Sequence, residues 1–255
     1  MMARSHITVG ACAVAVAASA NLIPLKSPGV AIAIMGLILV GTVAPDIDHL
    51  SSSVTRSWSW LSWCLSHVVR WICRRIYHAT RLANDPAKKD PHRTFTHTSP
   101  GALCGGATVA VLLQWHPWVA VVTLAMAFGT AARCVRKSYQ GYAAIAGGAL
   151  AWGVWDALAS AWWMLGLAFA AGCMLHVYSD CVTKGGAPLS FPRVTLKREV
   201  MPDGTTKIRQ RRRWHMSGPP EWIRFYTGSA VETWVIRGTI GLSIFSCYVL
   251  LGGPL

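Results

Sequence analysis

Acidic and histidine side chains gather in short segments of this 255-residue chain, and their types suit a metal site. Asp46, Asp48 and His49 stand together in APDIDH, directly after an apolar run. The segment HRTFTH adds His92 and His97, whose spacing of five positions does not put them on one face of a helix. We expect part of that segment to be irregular. Imidazole and carboxylate donors without thiolates favour Zn²⁺, Mn²⁺, Fe²⁺ or Ni²⁺ over Ca²⁺.

Two further segments supply donors of the same kind. His176 and Asp180 in HVYSD are four positions apart, so a helix would place them on one face. His6 precedes the first apolar run. Asp46 and Asp48 can point together only where the preceding helix has ended, and the proline between that run and Asp46 favours such an ending. Two carboxylates at a helix C-terminus oppose the helix dipole, and a bound cation would remove that conflict.

Each segment also has a plain structural interpretation. A carboxylate just past an apolar run is often simply solvated, and HVYSD taken alone favours an ordinary structural role. Four other histidines are interpreted in this way, as structural or incidental residues: His67, His78, His116 and His215. The metal interpretation leads because the donor segments are expected to meet at one face of the membrane, where ionisable residues are costly and tend to be functional.

The composition indicates a membrane protein. Hydrophobic residues make up 53% of the chain and charged residues 13%, whereas a soluble domain carries about 25% charged residues. Thirteen tryptophans fit a chain that meets lipid–water interfaces. The eight cysteines are scattered without a C-x-x-C pair and signal no thiolate zinc site. We predict an all-α, polytopic bundle of membrane helices that forms one domain over residues 1–255.

Seven apolar stretches approach the length of about 20 residues that a helix needs to cross a bilayer. They are 7–23, 28–44, two spans within 99–132 divided at WHPW, two within 139–181 divided near Trp162 and Trp163, and 230–251. With seven spans, 22 of the 24 Lys and Arg residues fall on one side of the membrane. The positive-inside rule places that side, the N-terminus and all the donor segments in the cytoplasm. The predicted location is the inner cell membrane.

The N-terminal segment has a second interpretation. MMARSH, an apolar core and ASA at 18–20 have the form of a cleavable signal peptide, and cleavage would remove His6. We favour an uncleaved first span, because an inner-membrane protein with six further spans does not need cleavage.

Two basic segments lie between the predicted spans, in a chain with a net charge of +14. Residues 57–82 combine Trp, Leu and Arg at helical spacing, which predicts an amphipathic helix on the inner leaflet; a further core helix is the alternative. Residues 193–214 place β-branched residues around a Pro-Asp-Gly turn and predict a basic hairpin insertion. Its charge suits membrane lipids better than nucleic acid. Ser229 and Glu232 match a capping box that would begin the last span.

Four motifs occur in a fixed order after an early Ser-His pair at 5–6: APDIDHLSSSVTR, HRTFTHTS, HVYSDCVTKGGAPLSFP and FYTGSAVE. In this order they resemble the membrane-bound, metal-dependent hydrolase family, also called YdjM-like or LexA-binding inner-membrane hydrolases. The resemblance implies a bacterial or phage source. It implies metal or catalytic roles for Asp46, Asp48, His49, His92, His97, His176 and Asp180. It also implies that Arg93 and Thr96 are neighbours in the site.

These features predict one or two divalent ions, with Zn²⁺ or Mn²⁺ preferred, at the cytoplasmic mouth of the bundle; His6 is a further candidate ligand. The predicted activity is hydrolysis of a phosphoester, lipid-linked or soluble, by a metal-activated water. Asp48 or His49 would act as general base, and Arg93 would hold the phosphate.

Two other functions stay open. One is a non-enzymatic membrane protein with a structural metal and basic loops that bind lipid, a protein partner or nucleic acid. The other is a metal-ion transporter, which fits less well because the candidate ligands lie at one face rather than near the midplane of the membrane.

Overall fold

The structure is a computed structural model that describes residues 2–23, 27–85, 88, 90, 92–189, 195–201, 205–212, 214 and 216–251. The helices are α1 (Ala3–Ser19), α2 (Pro28–Gly41), α3 (Trp60–Thr80), α4 (Ser99–Trp115), α5 (Pro117–Val135), α6 (Gln140–Gly153), α7 (Trp155–Ser160), α8 (Trp162–Cys181) and α9 (Ala230–Leu250). The strands are β1 (Thr195–Val200) and β2 (Thr206–Arg212). The described chain is therefore mainly helical, as the sequence predicts.

Three helices are long and apolar enough to cross a membrane by length and composition: α5, α8 and α9. The other four predicted spans correspond to shorter helices, with 17 residues in α1 and α4 and 14 in α2 and α6. The apolar stretch 139–181 contains two breaks, at Val154 and Ala161, which leave the short helix α7 between α6 and α8. Among the described residues, these criteria therefore mark three spans rather than seven.

Helix α8 lies against both α2 and α4, and glycines let the backbones touch. A Cβ atom built on Gly172 would lie 2.9 Å from Cα of Gly41 in α2. A Cβ atom on Gly166 would lie 2.7 Å from the carbonyl oxygen of Gly106 in α4. Small residues at such crossings are typical of helix packing in membranes. These crossings fix the end of α8 that carries His176.

Helix α3 packs on the bundle through a narrow stripe only. Its buried residues are Ser62, Ser66, Cys73 and Tyr77. The tryptophans of α3 are exposed instead, Trp60 by 71% and Trp71 by 58%. The structure therefore favours the amphipathic helix over the alternative of a core helix.

The basic segment after α8 forms an antiparallel pair of strands, in which Val200 pairs with Thr206. The predicted Pro-Asp-Gly turn, 202–204, lies outside the described residues. Just beyond β2, the buried ring of Trp214 packs on Tyr77 of α3 with centroids 5.1 Å apart. Its indole nitrogen donates to Oγ1 of Thr80 over 3.2 Å. This contact fastens the basic strands to α3.

The predicted capping box begins α9. The side chain of Ser229 accepts a hydrogen bond from the backbone N–H of Glu232. The carboxylate of Glu232 does not return to Ser229 but accepts from the backbone N–H of Gly228 (2.6 Å) and of Met2 (2.9 Å). Glu232 therefore joins the first turn of α9 to the start of α1.

Candidate metal centre

Two short 3₁₀ turns carry the central aspartates and histidines. Helix α2 ends at Gly41, and Pro45 lies in the turn Ala44–Asp48, which places Asp46 and Asp48 outside a regular helix. The second turn, Phe95–His97, lies directly before α4, which Thr98 caps through its side chain. Both turns meet the C-terminal end of α8. Residues 44–48 and 92–97 are thus irregular, as the spacing of their donors requires.

Two histidine nitrogens at this junction lie close to one carboxylate oxygen of Asp46 and to one of Asp180. Nε2 of His97 lies 3.2 Å from Nε2 of His176 and 3.6 Å from Oδ2 of Asp180. Oδ1 of Asp46 lies 3.7 Å from His97 Nε2 and 3.5 Å from His176 Nε2. His176 Nε2 and Asp180 Oδ2 are 3.7 Å apart. Ligand atoms around a tetrahedral zinc ion are about 3.4 Å apart, so the spacing of the two histidine nitrogens with either carboxylate suits an ion.

The backbone of α2 sets the orientation of His176. Nδ1 of this fully buried ring lies 2.8 Å from the carbonyl oxygen of Thr42, which can only accept a hydrogen bond. Nδ1 therefore carries the proton, and the lone pair of the neutral ring is on Nε2. Nε2 is the nitrogen that faces His97 and the two aspartates. This is the usual way in which a second partner orients a metal-binding histidine.

His6 lies against the ring of His176, and a hydrogen bond at its Nδ1 also orients it. The two rings stack with centroids 4.0 Å apart. The hydroxyl of Ser179 donates to the carbonyl oxygen of His176, so it accepts the proton on Nδ1 of His6 over 2.8 Å. Within the described chain, Nε2 of His6 is buried and has no hydrogen-bond partner, although Oδ1 of Asp180 lies 3.6 Å away. A buried lone pair facing a carboxylate is costly unless a cation lies nearby.

Asp48 lies behind this arrangement and supports it. Its side chain is fully buried, and Oδ1 accepts from Nδ1 of His92 over 2.7 Å. The hydroxyl of Thr96 donates to Oδ2, which is also 3.6 Å from Nδ1 of His97. Helix α3 reaches the same residue, because Nη1 of Arg70 donates to the carbonyl oxygen of Asp48 over 2.9 Å. Asp48 therefore orients the histidines rather than standing among the four convergent donors.

His49 lies at the edge of the site. Its ring is 4.7 Å from that of His92, and Nδ1 lies 3.0 Å from the hydroxyl of Ser51. The described residues contain three groups of donors compact enough for an ion, and His49 is in none of them. The groups are His6, Asp46 and His176; Asp46, His92 and His97; and His97, His176 and Asp180.

Arg93 is already engaged within the protein. Nη2 of its guanidinium lies 3.0 Å from Oδ2 of Asp180. Nη1 donates to the hydroxyl of Thr183 over 3.3 Å and to the carbonyl oxygen of Gly186 over 3.0 Å. The backbone of Arg93 is left-handed, with φ of 57°. Arg93 thus links the HRTFTH segment to the end of α8 and fixes Asp180.

The charges of the two turns reinforce each other. Burial alone would raise the pKa of the Asp48 carboxyl, but the charge of His97 and the hydrogen bonds from His92 and His97 outweigh it and hold that pKa well below its usual range. Burial likewise disfavours protonation of His97, yet the surrounding carboxylates raise its pKa to about 9. The cluster therefore holds a positive charge at His97, from which a metal ion would displace the proton.

Solvent reaches the cluster from one side. The side chains of Asp46, His92 and Arg93 are 22%, 24% and 19% exposed, whereas the other convergent side chains are nearly or fully buried. The structure therefore gathers seven of the eight predicted ligands, His6, Asp46, Asp48, His92, His97, His176 and Asp180. The orphaned nitrogen of His6 and the spacing of the donors fit a divalent ion. His67 and His78 lie elsewhere, on α3, and His116 caps α5.

Two orienting groups escape sequence reasoning. Ser179 is visible as part of HVYSD, three positions after His176, but nothing in the pattern shows that it would meet His6. Thr42 acts through its backbone carbonyl, which leaves no side-chain signal at all. Cys73 also borders the site, where burial raises its thiol pKa to about 11, so the thiol is a poor ligand.

The N-terminal part of the chain is similar to a known protein family. The model of the YdjM inner membrane protein family matches residues 1–136. That range includes His6, the APDIDH turn and the HRTFTH turn, and it ends before α8. No curated protein and no solved structure matches the chain.

Proposed function

This chain belongs to the YdjM inner membrane protein family, and from that premise we propose that it is a membrane-bound, metal-dependent hydrolase. The observation that carries the proposal is that histidines and aspartates form overlapping buried groups of possible metal ligands, while Nε2 of His6 has no hydrogen-bond partner among the described residues. Such a donor set at the edge of a membrane is costly without a function.

The proposed topology is the seven-span one. Helices α1, α2, α4 and α6 would cross together with α5, α8 and α9, and the basic loops would face the cytoplasm. The two site turns then lie at the cytoplasmic ends of α2 and α4. In this arrangement the exposed side of the cluster, at Asp46 and His92, faces the headgroups and the cytosol. A phosphoester in either place would reach it.

Asp46, His97, His176 and Asp180, with His6 beside them, would hold one or two divalent ions, and bound metal would supply Lewis-acid activation of a phosphoryl oxygen and of water. His92 stands on the open side of this set. Because Asp48 accepts the proton on Nδ1 of His92, Nε2 is the proton acceptor in the neutral ring. His92 would take the proton of the attacking water and return it to the leaving oxygen as the phosphoester bond breaks.

Arg93 takes a different role from the one that its motif suggests. Its guanidinium is already bound to Asp180, Thr183 and Gly186, so contact with a substrate phosphate would require an exchange of partners. We assign it to the positioning of Asp180. His49, next to His92, stays a candidate for contact with the substrate.

A structural metal is the second candidate function. Closed structural zinc sites use four protein donors, and His97, His176, Asp46 and Asp180 could supply four. An enzyme keeps a coordination position open, whereas removal of a structural ion unfolds the protein. Hydrolysis of bis(p-nitrophenyl) phosphate by the metal-loaded protein in lipid nanodiscs, together with its melting temperature before and after chelation, separates the two functions.

Asp48→Asn should retain one bound ion and lose activity. The change keeps the size of the side chain but removes the anion that holds the proton on Nδ1 of His92, and positioned proton transfer contributes roughly 10²- to 10⁴-fold to a rate. Metal content by mass spectrometry should therefore stay at one ion while the hydrolysis rate falls. A variant that falls from two ions to one would show instead that His92 binds a second ion, with Asp46 and His97. Unchanged hydrolysis would exclude the proton-transfer role.

Metal binding should release a proton at neutral pH. Because the pKa of His97 is raised to about 9, the ring is protonated below that pH and the ion must displace its proton. The apparent affinity should rise by about tenfold per pH unit up to pH 9 and then level. Calorimetry at pH 7.5 in two buffers with different ionisation enthalpies should report about one proton released per ion. An affinity that does not change between pH 7 and pH 9 would contradict the geometry around His97.

A further inference from the structure

The outer side of α3 is apolar and lacks a partner among the described residues. Leu61, Leu65, Val68 and Ile72 recur at spacings of four, three and four, so they form one stripe along the helix. Their side chains are 40–54% exposed. We call this set the α3 aliphatic stripe. Exposure of such an apolar stripe to water is unfavourable, which indicates that another apolar surface covers it.

Side chains suited to a lipid interface flank this stripe. Trp60, Trp63 and Trp71 are exposed by 71%, 52% and 58%. The guanidinium of the exposed Arg75 lies over the ring of Trp71, 5.3 Å from its centroid. Aliphatic residues next to Trp and Arg are the pattern of a helix that lies in the plane of a membrane.

The charge of α3 indicates what kind of surface would cover the stripe. Arg75 follows Ile72 by three positions and so continues the stripe, and Arg74 and Arg81 are also exposed at this end of the helix. Phosphate groups of an anionic leaflet complement this charge. Nucleic acid would meet the charge as well but would leave the aliphatic stripe in water. We propose that the α3 aliphatic stripe is inserted in an anionic lipid leaflet.

This placement links lipid to the metal centre, a consequence that rests on the proposed function. The side of α3 that faces the bundle contacts the APDIDH turn. Nη1 of Arg70 donates to the carbonyl oxygen of Asp48 over 2.9 Å. Thr55, which donates to the carbonyl oxygen of His49 over 2.9 Å, also contacts the hydroxyl of Ser66 in α3 over 3.4 Å. An anchored α3 therefore keeps Asp48 behind His92 and His97. Anionic lipid should strengthen metal binding at the site.

Photocrosslinking tests the placement without any metal. We would place p-benzoylphenylalanine at Leu65, Val68 or, as a matched control on the same helix, His78, in the full chain in phosphatidylcholine–phosphatidylglycerol nanodiscs. Lipid adducts by mass spectrometry are expected at Leu65 and Val68 and at much lower yield at His78. Adducts to a second copy of the chain, adducts to added RNA, or no lipid adduct at all would each overturn the proposal.

Metal affinity tests the link to the site. In nanodiscs with phosphatidylglycerol, Zn²⁺ or Mn²⁺ should bind about fivefold tighter than in phosphatidylcholine alone, the equivalent of one basic side chain meeting the anionic surface. Val68→Glu should remove both this difference and the lipid adducts, whereas Ser53→Glu, exposed just before α3, should keep them. Equal affinity in the two lipids, with lipid adducts still present, would overturn the link alone. No metal binding in either lipid would count against the proposed function and leave the placement supported.

Discussion

Replacement of His176 by Gln should abolish metal binding and, with it, all hydrolysis. Nε2 of His176 lies within 3.2–3.7 Å of the other three donors, and its Nδ1 is fixed by the carbonyl oxygen of Thr42. Glutamine keeps most of the volume and a polar end, but its neutral amide is a weak ligand for zinc or manganese. Loss of an outer partner of a metal ligand costs 10- to 100-fold in affinity, so loss of a donor itself should exceed about 100-fold.

The measurement is metal content by mass spectrometry on protein purified in nanodiscs, together with its circular dichroism. The matched control is His78→Gln, which changes an exposed histidine of α3 outside the donor groups. The control should keep the metal and the helicity of the wild-type protein. A His176→Gln protein that binds one ion as tightly as the wild type would show that the four convergent donors are not the metal centre.

Gly172→Val should separate α2 from α8 and destroy the site without touching any donor. The first side-chain atom at position 172 would lie 2.9 Å from Cα of Gly41 and would also collide with the carbonyl oxygen of Ile38. Both obstacles are backbone, so only a shift of the whole helix relieves them. That shift moves Thr42 away from Nδ1 of His176. Overpacking typically costs about 1–3 kcal/mol, and a collision of two backbones belongs at the upper end.

Thermal unfolding and metal content of the purified variant give the result. Gly238→Val is the matched control, because a Cβ atom at that position of α9 meets nothing within 4 Å and the same β-branched residue enters a helix. If Gly172→Val does not accumulate, Gly172→Ala tests the same contact with a single methyl group. Melting temperatures of the Val and Ala variants that equal that of Gly238→Val would show that α2 and α8 do not cross at Gly41 and Gly172.

The sequence predicted which donor residues would lie close together better than it predicted the partner of each side chain. Spacing alone placed His176 and Asp180 on one helix face and required irregular backbone at Asp46–Asp48 and in HRTFTH, because those constraints are local. The grouping of Asp48 with His92, and of Arg93 with Asp180, depends on which way each side chain points after folding. Direction is not encoded in residue type, so the sequence made Asp48 and His92 candidate ligands alike and predicted that Arg93 would hold a phosphate.

The number of spans shows a different limit. Apolar stretches were located within a few residues of the helices that form, but prolines and short breaks decide where each helix begins and ends. Pro28, Pro100 and Pro117 lie in the first turns of α2, α4 and α5. Helix α3 shows a related limit. It packs on the bundle through Ser62 and Ser66, whereas the periodicity of its large apolar residues predicts a different buried face.

The bond between Glu232 and the backbone of Met2 joins residues 230 positions apart. The start of helix α1, which contributes His6, is therefore held by α9, which is synthesised more than 200 residues later. Contacts of such long range form late, because closure of the intervening chain must come first. His6 is thus fixed only once α9 is in place, and an ion that needs His6 would enter only after α9 has been made and inserted.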